Sequence, residues 1–260
     1  MAKEQRLEQH IETIARWIIK CKHIVAFTGA GISTDSGIPD FRGPDGVWTQ
    51  RDAGLPAPRW RVPPGQVKPN ASHLSLVELQ RLGKLQFLIA QNTDNLHRRS
   101  GIYPELLAEL HGNGQLMRCL GCDRLYTRQE VGWDTDRWGP GYRTQKPVAG
   151  QPACAACSGR LISSVVNFGD PLPQKELALA GQHARHCDLM LALGSSLVVE
   201  PAASLVGLAL RSRARVVLVN QGETPYDEAA TLRVWTGIGD VIPLAVEQVK
   251  RALGERPNRS

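Results

Sequence analysis

Apolar positions change their spacing several times along this chain, and each change marks an element. Leu7, Ile11, Ile14, Trp17 and Ile18 recur at helical spacing over residues 5–20. An unbroken apolar run over 24–27 then enters Thr28-Gly-Ala-Gly31, the pattern of a strand feeding a loop and a helix. Helical spacing returns over 72–82 at Leu74, Val77, Leu79 and Leu82, with Ser72 as the expected N-cap. A strand over 85–90 ends in Gln91-Asn-Thr-Asp94, and a short helix over 104–110 leads to His111-Gly112. Beyond residue 160 the pattern predicts a strand over 161–168, a helix over 174–186 and a strand over 189–193 ending at Gly194-Ser-Ser196. A helix over 201–211, a strand over 216–219 ending at Asn220, a strand near 232–235 and a helix over 239–252 complete it. Two stretches lack a clear period. Residues 43–71 are rich in Gly and Pro, a long ordered loop or small insert. Residues 114–160 are polar and Gly-containing, with little core of their own. The tail 254–260 reads as flexible.

Strands alternate with helices, and the central strands are continuous apolar runs. That is the pattern of a parallel sheet buried on both faces. The fold class expected is α/β, a Rossmann-like parallel sheet with helices on both faces plus a small cysteine-bearing module. Residues 1–113 and 161–253 form the large domain, with a loop and helical insert at about 43–82, and 114–160 form the module. A chain of 260 residues suits that division.

Composition is that of an ordinary globular protein, 42% hydrophobic and 22% charged. No stretch approaches the roughly 18 apolar residues of a membrane span. The N-terminus Met1-Ala-Lys-Glu-Gln-Arg6 is polar and has no apolar signal core, so a cytosolic, prokaryote-like setting is expected. The net charge of +6 favours acidic or phosphate-bearing partners in general. The basic residues are dispersed, however, and Arg211-Ser-Arg213-Ala-Arg215 reads as the solvated end of a helix. Nucleic-acid binding is therefore not indicated.

Four features carry chemistry. Gly29-Ala-Gly31-Ile-Ser33 follows a strand, where glycines let backbone approach a pyrophosphate. A plain tight turn explains it equally well. The third Gly of a dinucleotide fingerprint is replaced at Thr34, which weakens the case for a hydride-transferring dehydrogenase. Second, Cys119/Cys122 and Cys154/Cys157 are two CxxC pairs that suit a closed tetrahedral zinc site, structural rather than catalytic; a redox dithiol is the competing use. Third, polar residues recur where apolar strands end, at Gln91–Asp94, Gly194–Ser196 and Asn220. Each alone is a turn former, and together they rim one crevice. Fourth, His111 stands just before the cysteine module. A neutral imidazole there suits general-base work, and a structural histidine is the equal alternative.

The order and spacing of these motifs resemble the sirtuin family over roughly residues 20–250. The matching runs are Gly29-Ala-Gly-Ile-Ser-Thr-Asp-Ser-Gly-Ile-Pro-Asp-Phe-Arg-Gly43, Gln91-Asn92-x-Asp94 and His111-Gly112. They continue with both CxxC pairs, Phe168-Gly169, Gly194-Ser-Ser196 and Val219-Asn220. Phe41–Trp48, Leu96–Gly101 and Leu107–Asn113 look most like the subgroup that includes nuclear members of animals.

The resemblance implies an NAD-dependent protein lysine deacylase that releases nicotinamide and O-acyl-ADP-ribose. It implies His111, Asn92 and Asp94 as catalytic residues, with His111 as the base. Ala30, Gly31, Ser33, Thr34, Phe41, Arg42, Trp48 and Gln91 would hold the cofactor's pyrophosphate and nicotinamide side. Gly194, Ser195, Ser196, Asn220 and Ile238 would hold the adenosine side. Val166, Phe168 and Gly169 would receive an acyl-lysine protein or peptide, and the four cysteines one structural Zn²⁺. Residues 43–71 are a candidate lid. Departures from the family pattern are Thr93 for an aliphatic residue, Asn95 for Gly, Asp170 for Glu and Ser195 for Thr. Residues 44–60 hold no Tyr-x-x-Arg pair, so neutral acyl groups are expected. Two other readings compete: a mono-ADP-ribosyltransferase using the same site, and a non-catalytic NAD⁺- or zinc-binding module. Asn92, Asp94 and His111 speak against the second of these.

Overall fold

The computed structural model describes residues 2–254. Helix α1 (Ala2–Lys20) leads into strand β1 (Ile24–Thr28). Helices α2 (Val47–Asp52) and α3 (Ala71–Arg81), strand β2 (Leu85–Ala90), helix α4 (Leu96–Ser100) and strand β3 (Leu107–Glu109) follow. The cysteine-bearing segment contributes β4 (Leu116–Cys119), β5 (Leu125–Thr127), α5 (Thr135–Trp138) and β6 (Leu161–Ser163). The chain returns through α6 (Gln174–His186), β7 (Leu189–Leu193), α7 (Ser204–Arg211), β8 (Arg215–Val219), β9 (Leu232–Val234) and α8 (Ile242–Ala252).

The main sheet is parallel, in the order β3-β2-β1-β7-β8-β9. Successive side chains of a strand point to opposite faces, so an apolar run needs cover on both sides. Strand β1 shows this directly. Ile24 and Ala26 pack with Ile14, Ile18, Leu76, Leu79 and Val249, on the face covered by α1, α3 and α8. Val25 and Phe27 pack with Ala180, Ala184 and Val206, on the face covered by α6 and α7. Connections run outward from β1 to β2 and β3 on one side, and from β7 to β8 and β9 on the other. The order reverses between β1 and β7, which is where such sheets open a ligand crevice.

Four local expectations are corrected. The segment 104–110, expected as a helix, is a 3₁₀ turn followed by β3, which pairs with β2 at the sheet edge. Its leucines also suit helical spacing, and the unpaired edge of β2 decides the outcome. The strand expected over 161–168 spans only Leu161–Ser163. It pairs antiparallel with β4 in a separate three-stranded sheet, β5-β4-β6, and not in the main sheet. Residues 114–160 have a core after all, with Met117, Trp133, Trp138 and Cys154 packed together with Leu161. Helix α3 is capped by Asn70 and not Ser72: the Asn70 side chain accepts from the amides of Ser72 and His73. Of the tail expected to be flexible, residues 255–260 lie outside the described residues.

The small sheet is fastened to the large one by charge. Arg118 on β4 is buried, pairs with Asp123 at 2.6 Å and also bonds Glu176 on α6. Removing one member of a desolvated ion pair leaves the other without its counter-charge. Arg118→Ala should therefore lower unfolding free energy by about 2–3 kcal/mol in a denaturant titration. A variant matching the wild type would show that the pair does not join the two sheets.

Candidate active site and cysteine centre

The crevice forms where β1 and β7 end. Gly29 donates its amide to Leu193 O at 3.0 Å, and Gly31 to Gly194 O at 2.8 Å. A Cβ on Gly29 would lie 2.7 Å from Gly194 O, and one on Gly31 would lie 2.8 Å from Gly194 Cα. These glycines are therefore required by close backbone approach. The cavity beside them is about 1240 Å³. That exceeds the roughly 300–1,000 Å³ of a pocket for one small ligand and suits two substrates together.

Almost every residue picked out from the sequence faces this cavity. Ala30, Gly31, Ser33, Thr34, Phe41, Arg42 and Trp48 line it from the segment after β1. Gln91, Asn92 and Asp94 line it from the end of β2, and His111 from beyond β3. Gly194, Ser195, Ser196, Asn220 and Ile238 line the opposite wall, and Val166, Phe168 and Gly169 the side toward the small sheet.

The polar groups are held in a fixed arrangement. Ser33 Oγ donates to Asp94 Oδ2 at 2.6 Å, and Asn92 Nδ2 donates to Ser33 Oγ at 3.2 Å. The other carboxylate oxygen of Asp94 accepts from the Leu96 amide at 2.9 Å, starting α4. Ser195 Oγ donates to Gln91 Oε1 at 2.6 Å, which fixes the Gln91 amide and ties the β2 end to the β7 end. His111 Nδ1 lies 2.9 Å from the Gln91 carbonyl oxygen. A carbonyl only accepts, so Nδ1 carries the proton and Nε2 keeps its lone pair while the ring is neutral. Burial lowers the His111 pKa, against the opposing pull of the Gln91 bond. Val166 N donates to His111 O at 2.9 Å, which sets the 166–169 segment beside the imidazole. Phe168 leaves 87% of its surface exposed at the cavity edge, an apolar surface open to an incoming chain.

Residues 43–71 form an ordered insert that includes helix α2. Helix α2 stacks Trp48 on Phe41 at 5.8 Å, and Arg51 lies 4.5 Å above the Trp48 ring. Asp40 accepts from Gly43 N at 2.9 Å, and burial raises its pKa. Of the departures from the family pattern, Asn95 is in the left-handed region at φ 66°, where Asn is among the few side chains tolerated.

Several groups behind the cavity were assigned no role from the sequence. His97 Nε2 bonds Thr28 Oγ1 at 2.9 Å, and its ring lies 5.0 Å from His73. Burial holds the His97 pKa well below its ordinary value and lowers that of His73 to about 4, so both rings are neutral props. Asn113 and Ser164 are buried beside His111. Asn113 stands between two glycines and Ser164 inside an expected strand, and neither position signals a shared buried network in the sequence.

The cysteine centre passes a geometric test. The four Sγ atoms of Cys119, Cys122, Cys154 and Cys157 lie within 4.8 Å of one another. Cys119–Cys157 and Cys122–Cys154 are 3.5 and 3.6 Å apart. Tetrahedral bonds of 2.3 Å place sulfurs about 3.8 Å apart. A Cβ on Gly159 would lie 2.9 Å from Cys119 Sγ, so glycine is needed for the thiols to converge. Tyr126 OH lies 3.1 Å from Cys154 Sγ and supports the set from outside. The donors fit one structural zinc ion, and no ligand position is left open for chemistry.

A model of the Sir2 family matches residues 29–59 and 55–201. The chain belongs to the Sir2 family. It is 38% identical over 243 residues to NAD-dependent protein deacetylase SRT1 of Arabidopsis thaliana, covering 94% of this chain but 50% of that protein. It thus spans about half the length of that relative. NAD-dependent protein deacylase 2 of Archaeoglobus fulgidus is 36% identical, covering 96% of this chain and 100% of the relative. A Sir2 structure solved with a p53 peptide and NAD⁺ is 34% identical with a TM-score of 0.68, covering 94% of this chain and 98% of that one.

Cys119→Ala should lose bound zinc, from about one equivalent to near zero by atomic emission, and lose soluble yield with it. A soluble, zinc-free variant with wild-type stability would overturn the structural-metal assignment.

Proposed function

We propose that this sirtuin is an NAD⁺-dependent protein lysine deacylase, with His111 as general base and Asn92 and Asp94 as its catalytic companions. The observation that supports this most is the His111 tautomer. Its Nδ1 proton is committed to the Gln91 carbonyl at 2.9 Å, and Nε2 makes no hydrogen bond to any described residue. A half-buried neutral imidazole with a free lone pair, lining a cavity for two substrates, is a base awaiting a proton.

When bound, NAD⁺ supplies a glycosidic bond whose cleavage releases nicotinamide and gives the acyl group an acceptor. The protein's work is placement and proton handling. Asn92, Ser33 and Asp94 present a preorganised polar array, and Gln91 is held by Ser195. Phe41, Arg42, Trp48, Ala30, Gly31 and Thr34 close over the pyrophosphate and nicotinamide side. Gly194, Ser196, Asn220 and Ile238 receive the adenosine side. Val166, Phe168 and Gly169 take the acyl-lysine of a protein or peptide, and His111 takes up the proton released from the sugar hydroxyls. The reaction consumes one water, which releases the free lysine as the acyl group passes to the sugar; further water would capture the reacting sugar, so the cavity walls would serve to limit its access. The segment 43–71, with its stacked Phe41–Trp48 pair, acts as the lid. Residues 114–160 form a zinc module on the two-part Rossmann-like domain.

Apolar Val166 and Phe168 beside the cavity favour neutral acyl groups. The motif runs at Phe41–Trp48 and Leu107–Asn113 support placement near the subgroup with nuclear animal members. The cysteines, none of which is joined in a disulfide, suit a reducing cytosol. No helix among the described residues is long and apolar enough to cross a membrane.

The reading is tested by incubation with NAD⁺ and acyl-lysine peptides, with products identified by mass. O-acyl-ADP-ribose and free lysine are expected. ADP-ribose attached to protein, without deacylation, would replace this reading by mono-ADP-ribosyl transfer. His111→Ala should reduce turnover at least about 100-fold with the fold intact by circular dichroism. The pH dependence follows from burial. The base works only when neutral, and its pKa lies below the ordinary 6.5. The kcat/KM profile should therefore stay level as pH falls through about 6.5 and drop only below it. An acid limb above that value would contradict the buried-imidazole account.

A further inference from the structure

The catalytic groups come from separate pieces of chain, and something must hold those pieces in register. Asp94 lies in the loop after β2, His111 lies beyond β3, and Val166 and Phe168 follow β6 of the other sheet. The three pieces meet at one buried residue, Asn113, which is 1% exposed.

Every polar atom of Asn113 is engaged. Its Nδ2 donates to Glu109 Oε1 at 2.6 Å and to Asn95 Oδ1 at 2.9 Å. Its Oδ1 accepts from the Gln115 amide at 2.9 Å. Its backbone amide donates to Ser164 Oγ at 3.0 Å, and that hydroxyl donates back to Asn113 O at 2.8 Å. Glu109 is held in turn by Arg98 Nε at 2.7 Å, and Arg98 belongs to α4, the helix that Asp94 starts. The approach is as close as backbone allows: a Cβ on Gly112 would lie 1.8 Å from Ser164 O.

We propose that Asn113 is a positioning residue that fixes His111, the Asp94 loop and the 164–168 segment relative to one another, with Asn95 as its specific partner on the Asp94 side. Asn95 has two qualities at once. It adopts the left-handed backbone the loop requires, at φ 66°, and it supplies the oxygen that Asn113 donates to. Glycine would satisfy only the first. The clasp also seals the turn around His111 against water, the condition under which burial keeps the imidazole neutral. Loosening it exposes the ring and returns its pKa toward the ordinary value.

This inference rests on the deacylase reading, and two variants separate the two. Asn95→Gly keeps the left-handed backbone and deletes only the hydrogen bond. Asn113→Ala deletes the side-chain bonds to Asn95, Glu109 and Gln115, leaves Glu109 short of a donor, and keeps the backbone bonds to Ser164. With NAD⁺ and an acetyl-lysine peptide, Asn95→Gly should lower kcat about 3-fold and Asn113→Ala about 30-fold, with both KM values within about 3-fold of wild type. In Asn113→Ala the acid limb of the pH profile should move up toward pH 6.5, a shift that partial unfolding does not produce. Adding Asn95→Gly to Asn113→Ala should cost nothing further, since the bond is already gone. The proposal is overturned if Asn95→Gly matches an active wild type in kcat and pH profile, or if the two losses simply multiply. It is overturned too if Asn113→Ala loses activity only in proportion to its unfolded fraction with an unmoved limb. Should Asn113→Ala not fold, Asn95→Gly alone decides. A wild type that deacylates no peptide sinks the deacylase reading itself, and the clasp with it.

Discussion

Gly29, Gly31 and Gly194 meet backbone to backbone where the strand order of the main sheet reverses. With Gly31 N bonded to Gly194 O at 2.8 Å, the ends of β1 and β7 stand too close for any side chain between them. The crevice opens directly above that contact. The loop after β2 is then drawn in by Ser33 and Ser195, each of which bonds a residue of the Gln91–Asp94 run at 2.6 Å. The Gln91 carbonyl orients His111, and the His111 carbonyl orients Val166. One tight approach between two strand ends thus propagates, bond by bond, to His111 and to the segment that follows Val166.

The supporting elements divide the remaining work. Apolar strands covered on both faces give the crevice a rigid floor. Neutral His97 and His73 brace it from below without adding charge next to Asp94. The small sheet is held to the large one by Arg118 and is organised internally by the four converging cysteines. The proposed chemistry needs no metal at the reaction centre, and the closed thiol set offers none.

Much of this was legible in the sequence, for physical reasons. Continuous apolar runs such as 189–193, alternating with helical patterns, point to central strands, and polar residues at their ends together point to a common rim. The four cysteines could be grouped by spacing alone. Illegible features were those decided by distant partners. Residues 107–109 carry no strand signal of their own and become β3 because β2 has a free edge. Residues 161–163 have the composition of a main-sheet strand, yet pair with β4. Ser72 and Asn70 are both good caps, and only the contacts of Asn70 with Ile32 and Ser36 decide between them. Asn113 reads as a turn former after glycine. Its four-way bonding becomes visible only when Ser164, fifty residues away in rough terms of chain, is brought against it.

In the proposed reaction one crevice brings the dinucleotide and the acyl-lysine together at a single base. The most direct test is the stoichiometry of nicotinamide released to lysine deacylated, measured in the same reaction. One to one is expected, with no deacylation when NAD⁺ is omitted. Deacylation without nicotinamide release, or nicotinamide release independent of the acyl-peptide, would contradict it.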